Sequence, residues 1–212
     1  MYAIADRPES ETAASAFSGS TDGRSLRRER NRDSVIEALL ALVREGNMDP
    51  GGAEIAERAG VSHRSVFRYF DDLGDLIRTA IDTELSRGCM LGDIDDLGEG
   101  TFQHRLDALV DTRIRMFEFT HGIVCLARVR AFAIPEIDEQ FIEAAATARE
   151  QLVKQLGPEL QRVPAAERDS VIDAAQCLVS WDSYDWHKRI LGHDDDAIRR
   201  AWVIGLTALL DR

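Results

Sequence analysis

The stretch from Ile55 to Phe70, IAERAGVSHRSVFRYF, leaves this chain few ways to fold locally. Ile55, Ala56 and Ala59 form a narrow apolar stripe at helical spacing, and Gly60 then supplies the positive φ that a tight turn needs. Ser62 is placed to cap a second short helix by accepting a backbone N–H, and Val66 and Phe70 face inward four residues apart. Two helices this short cross closely only over a small residue, which Ala56 provides. Ile55, Ala59, Val61 and Val66 fill the miniature core between them. His63, Arg64, Ser65, Phe67 and Arg68 are left on the outer side. This spacing predicts a helix-turn-helix, whose second helix enters the DNA major groove while the first crosses the backbone.

Helical periodicity also governs the rest of the chain. Val35, Ile36, Leu39, Leu40 and Val43 mark a first helix beginning near Leu26 and ended by Gly46 and Pro50-Gly51-Gly52. After the helix-turn-helix, Leu73 to Leu85 give a fourth helix, and GDIDDLGEG (92 to 100) connects it to the remainder. That connector does not fit a calcium loop, because Leu97 and His104 would fall where carboxylates are required. A fifth helix spans Leu106 to Phe117, a sixth 122 to 133, and a seventh 135 to 156. An eighth follows from 165 to 191 and a ninth from 194 to 210. No period-two pattern competes, so the expected fold is all-α with about nine helices. The expected division is a disordered tail (1 to 23), a DNA-binding domain (24 to 72) and a C-terminal regulatory and dimerisation domain (73 to 212).

Charge supports that division. The 212 residues carry a formal charge of -12, which by itself disfavours non-specific binding to nucleic acid. From Arg24 to Phe70, however, nine arginines face seven acids. This part is therefore net basic while everything else is strongly acidic, and such asymmetry suggests that the basic part meets a polyanion. No long apolar run and no secretory leader pattern occurs, so a cytoplasmic protein with no membrane association is expected. Cys89, Cys125 and Cys177 are far apart, and they read as reduced thiols in helices rather than as a disulfide or zinc framework. His187 and His193 are six residues apart across Gly192, which is not a helical-face spacing. No metal site and no cofactor is expected. A Gly-rich phosphate loop, a nucleophile elbow and paired helical zinc histidines are all missing from the sequence, so an enzyme is not expected.

The run from Gly46 to Leu76, GNMDPGGAEIAERAGVSHRSVFRYFDDLGDL, resembles the DNA-binding domain of the tetracycline-repressor (TetR) family. Gly46, Ile55, Ala56, Ala59, Gly60, Val61, Ser62, Val66, Tyr69, Phe70 and Leu76 match that family's pattern in register. Three positions depart from it. Pro50-Gly51-Gly52 stands where the family carries a Thr or Ser before the second helix, Phe67 stands for a Tyr, and Leu73 for a Lys. Each removes a hydrogen-bonding or charged contact to phosphate, so anchoring shifts to Arg24, Arg27, Arg28 and Arg30. His63 and Arg64 are the candidate base readers, with Ser65 third. Ser62, Phe67, Arg68 and Tyr69 complete the expected DNA-binding set with Arg27 and Arg28.

In AWVIGLTALL (201 to 210) only Thr207 is clearly polar. A terminal helix apolar on every side needs cover on every side, which a second copy supplies most simply. The resemblance implies the same: a homodimer through the last two long helices, binding a palindromic double-stranded DNA operator. It further implies a pocket for a small-molecule effector of unknown identity, for which Phe117, His121, Arg128, Phe132, Trp181 and Tyr184 are candidates. The expected function is therefore a ligand-responsive transcriptional regulator, a repressor by analogy. Two alternatives stay open at this stage: an α-helical small-molecule-binding protein or enzyme using the C-terminal pocket, and an architectural DNA-binding dimer without an effector.

Overall fold

In the computed structural model the described residues are 19–131 and 135–210, and every regular element among them is helical. The N-terminal group comprises α1 (Gly19–Arg44), α2 (Gly52–Arg58), α3 (His63–Tyr69) and α4 (Leu73–Leu91). The body comprises α5 (Phe102–Ala131), α6 (Pro135–Gln155), α7 (Gly157–Arg162), α8 (Ala165–Leu178), α9 (Trp181–Asp185) and α10 (Asp195–Leu210), with a π-helical turn, Trp186–Ile190, after α9. The expected all-α architecture is thus present, and no described helix is long and apolar enough to cross a membrane.

Four boundaries differ from the sequence reading, one being the short α7 where only a connection between the seventh and eighth helices was expected. Helix α1 starts at Gly19 rather than near Leu26: the added residues, GSTDGRS, are weak helix formers, but they contain no proline to stop the helix. Of the tail expected over 1 to 23, residues 1–18 lie outside the described part. The fifth and sixth helices are one continuous element, α5, since nothing between Phe117 and Gly122 removes a backbone donor. The eighth helix breaks after Leu178: Ser180 caps a new helix by accepting from the Ser183 N–H at 3.1 Å.

The end of α1 shows how local chemistry sets direction. Gly46 adopts φ +94, its N–H bonds Val43 O, and Asn47 N–H bonds Leu42 O, each at 3.0 Å. This is the Schellman arrangement, which satisfies the last carbonyls of the helix and turns the chain towards α2.

Helix α5, about 45 Å long at 1.5 Å per residue, joins two hydrophobic clusters. Its C-terminal half, through Ile123, Val124, Leu126 and Ala127, packs into the core that α1 to α4 build around Val35, Leu39, Ile55, Val66 and Phe70. Its N-terminal half, through Leu106, Leu109, Val110 and Phe117, packs with Leu152, Ile172, Tyr184, Ile198 and Trp202. The helix-turn-helix therefore rests on the body through one shared core.

Candidate nucleic-acid interface and the cavity behind it

Helices α2 and α3 meet at a turn in which Gly60 has φ +67. Val61 N–H returns to Ala56 O at 3.0 Å. Ser62 accepts from Ser65 N–H at 3.2 Å, and the two hydroxyls lie 2.8 Å apart. The expected cap is present, and it occupies the Ser65 hydroxyl. Val66 and Phe70 are buried, as the four-residue spacing requires.

The outer side of α3 carries His63, Arg64, Phe67 and Arg68, all exposed. Among the described residues Arg64 has no hydrogen bond or ion pair, so its guanidinium is available to an external acceptor. Tyr69 is held instead: its hydroxyl oxygen accepts from Asn31 Nδ2 at 3.2 Å and from Arg68 Nη2 at 2.8 Å. These bonds, Asn31 first, pull the phenol below its ordinary value of 10. The hydroxyl proton remains free to be donated, which is the polarity a phosphate oxygen needs. Arg27 and Arg28 lie exposed on α1, and the charge of Arg28 is felt at Tyr69. The side chain of Arg24 lies outside the described residues.

Gly52, the first residue of α2, bears on the Phe67 departure. A Cβ there would lie 3.2 Å from His63 Nε2 and 3.3 Å from Phe67 Cζ. The two rings meet edge to face at 4.9 Å between centroids and lean on this bare backbone. A side chain at Gly52 would press on the ring pair, so Gly52 and Phe67 depend on each other, whereas the uncapped position itself is Gly51, where a Cβ would meet nothing within 4 Å.

Behind this interface a cavity of about 1000 Å³ opens between the end of α1, the middle of α5 and α9. Val43, Arg44 and Met48 contribute from the N-terminal group, and His121, Cys125 and Arg128 from α5. Trp181, Asp185 and Arg189 close it from α9 and the π-helical turn. Gly122 lets α1 come close, since a Cβ would meet Val43 Cγ1 at 3.3 Å.

Of the six residues predicted for a ligand site, His121, Arg128 and Trp181 are brought together here. The Trp181 ring stacks on His121 at 5.6 Å, and Arg128 sits 4.5 Å over Trp181 while pairing with Asp182 at 2.7 Å. Phe117 and Tyr184 do not line the cavity. Both are core residues packed with Trp202, because the apolar face of α5 that carries Phe117 points into the body. The Tyr184 hydroxyl donates to Asp195 Oδ1 at 3.1 Å, and burial pushes the phenol well above its ordinary value. Phe132 lies outside the described residues. The sequence reading missed Cys125 and Asp185 as neighbours of His121, although His121 and Cys125 are four residues apart on a helix and share a face. It also kept His187 and His193 apart, whereas Gly192, at φ +66, folds them to 2.9 Å between Nδ1 atoms.

Similar architectures are known. A transcriptional regulator from Rhodococcus sp. Rha1 superposes with a TM-score of 0.63 at 18% identity, covering 87% of this chain and 96% of that one. A protein from Mesorhizobium loti, assigned to the TetR family of transcriptional regulators, gives 0.60 at 17%, covering 87% and 97%. The chain has the TetR-type fold. A third protein, from Streptomyces coelicolor A3(2) and also assigned as a transcriptional regulator, gives 0.56 at 17%, covering 86% and 99%. At these identities the likeness concerns the TetR-type fold alone. No family model matches the sequence, and no curated protein matches it.

Proposed function

We propose that this chain is a DNA-binding transcriptional regulator of the TetR type, a repressor that acts as a homodimer on a palindromic operator and answers to a small-molecule effector. The reading rests above all on α3: an exposed Arg64, unpaired among the described residues, beside a Tyr69 whose hydroxyl oxygen accepts from Asn31 and Arg68 and whose proton can be donated. His63 and Arg64 read base edges. Tyr69, Arg27 and Arg28 hold phosphate, and Phe67 braces His63 over Gly52. Residues 24 to 72 meet the operator, while 73 to 212 serve regulation and dimerisation without catalysis.

Helix α10 supports the dimer. Its buried stripe is Ile198, Trp202, Leu206 and Leu210, yet Ile204 on another side is 69% exposed. A second copy packed on α8 and α10 covers it and sets two α3 helices about 34 to 36 Å apart. The cavity supports an effector response, because its wall combines the end of α1 with α5 and α9, so that an occupant presses on the helix that carries Arg27 and Arg28.

Selection of binding sites from random duplexes, followed by anisotropy titration across salt concentration, tests this. Arg64→Ala should cost about 1 to 3 kcal/mol on the selected site and relax preference at one base position. Changing Arg27 and Arg28 together to Ala should weaken all sequences alike and reduce the slope of log K against log salt by about 1.8, at about 0.9 per phosphate contact. Selection that enriches no sequence would refute the reading.

A further inference from the structure

We propose that His121, Cys125 and Asp185 form a binding site for a thiophilic divalent cation of the zinc class, opening into the α1–α5–α9 cavity. One ligand atom from each residue lies within 4.8 Å of the others, and His121 Nε2 is 3.0 Å from Asp185 Oδ1. A tetrahedral zinc with bonds of about 2.0 Å to nitrogen and oxygen and 2.3 Å to sulfur needs ligand separations of roughly 3.3 to 3.6 Å. With no two of the three atoms more than 4.8 Å apart, each separation lies within roughly 1.5 Å of that spacing. The hydrogen bond between His121 and Asp185 opens slightly as the cation takes the place of its proton.

The donor set selects the metal. One imidazole, one thiolate and one carboxylate suit zinc and its softer relatives, and disfavour magnesium and calcium, which demand oxygen. Three protein ligands beside a cavity leave the fourth position open to water or to a small molecule. The surroundings hold the ligands as an outer layer should. Trp181 stacks on the His121 ring, and Arg189 Nε donates to Asp185 Oδ2 at 3.1 Å, which leaves Oδ1 for the cation. Of the other guanidiniums lining the cavity, Arg128 is matched by Asp182 and Arg44 by Glu84, so neither charge stands alone against a cation. On binding, Cys125 forms an S–metal bond and its thiol proton passes to the solvent.

The test uses the full chain, freed of metal by dialysis against a chelator and kept reduced. Titration with cobalt(II) should give one ion per chain and a near-ultraviolet thiolate-to-cobalt absorption band. Cys89→Ser should keep that band, and Cys125→Ser should lose it. Calorimetry with zinc chloride should show one site, weakened about tenfold or more in Cys125→Ser and in Asp185→Asn. Circular dichroism verifies that both variants are folded, and the cobalt band of the unaltered chain stands whether they fold or not. The proposal is overturned if cobalt binds without a thiolate band, if neither ion binds, or if His187→Ala rather than Cys125→Ser abolishes binding. The claim is separate from the DNA reading: failed metal binding removes the first, and failed site selection removes the second.

Discussion

Glu159→Gln should strip the body of the charge that holds its longest helix. Arg105 on α5 and Glu159 on α7 have side chains only 6% and 5% exposed. The Arg105 Nη2 donates to both carboxylate oxygens at 2.6 Å, Nε donates to Gln155 O at 2.9 Å, and Nη1 donates to Gly100 O at 2.5 Å. Gln155 closes the network by donating to Arg105 O at 2.8 Å and accepting from Gly98 N–H at 2.7 Å. The amide keeps the shape of the carboxylate but leaves a buried guanidinium with neutral acceptors only, a loss of about 3 to 5 kcal/mol. For a chain of this size each kcal/mol moves Tm by about 2 to 4 °C, so a fall on the order of 6 to 20 °C is expected. Thermal and denaturant unfolding followed by far-ultraviolet circular dichroism measures it, at one fixed protein concentration because a second copy would shift the midpoint. The companion is Arg105→Met with Glu159→Leu, which removes both charges at similar volume and should recover part of the loss, the remainder reflecting the Gln155 and Gly100 carbonyls left without their guanidinium donor. A single change costing under about 1 kcal/mol, or a double change as costly as the two singles added, would refute the account of a desolvated, mutually dependent pair.

Two further outcomes follow from packing and titration. Gly205→Ala favours the helix by about 1 kcal/mol but sets a Cβ 2.6 Å from Leu178 Cδ2, so the half-buried Leu178 must turn aside and the full gain should not appear; Gly205→Ala with Leu178→Ala should be more stable than Leu178→Ala alone by about that amount, and a full gain in the single variant, read from melting midpoints, would contradict the close α8–α10 approach. Burial, with the charge of His193 second, lowers the His187 imidazole below its ordinary 6.5. The unfolded chain then takes up that proton first, so the associated stability is present above pH 6.5 and is lost as the pH falls through the lowered folded value. The gap between the melting midpoints of the parent and His187→Gln should change across this acidic window and stay constant above it, where only the lost His193 contact separates them; parallel profiles throughout would refute the linkage.

What was legible in the sequence was local. Gly60, Ser62 and Val66 act within one or two helical turns, and the turn, cap and inward face they specify are those observed. The outward face of α3 followed directly, because on a seven-residue helix a buried Val66 leaves Arg64 and Phe67 nowhere else to point. The continuous α5 was less legible: apolar residues on it serve two different cores in succession, so its pattern changes face near Phe117 and resembles two shorter helices. The partnership of Gly52 with Phe67 was hidden for a related reason. A missing side chain has meaning only when the ring that fills its place is known.

The cavity shows where such reading stops. His121 and Cys125 share a face of α5, and that half of the cluster is written in a four-residue spacing. Asp185 stands 64 residues from His121 and arrives only because the chain breaks at Ser180, whose hydroxyl caps α9 and bonds Cys177 O at 2.8 Å. The same break aligns Trp181 with the His121 ring and sets Asp182 against Arg128. One serine hydroxyl, by ending α8, thus gathers a stacking ring and two carboxylates onto a wall that α5 supplies with a histidine, a thiol and a guanidinium. Replacing Ser180 by Ala removes both of its side-chain bonds, so its effect should appear at the cavity and its ligands before it appears at α3.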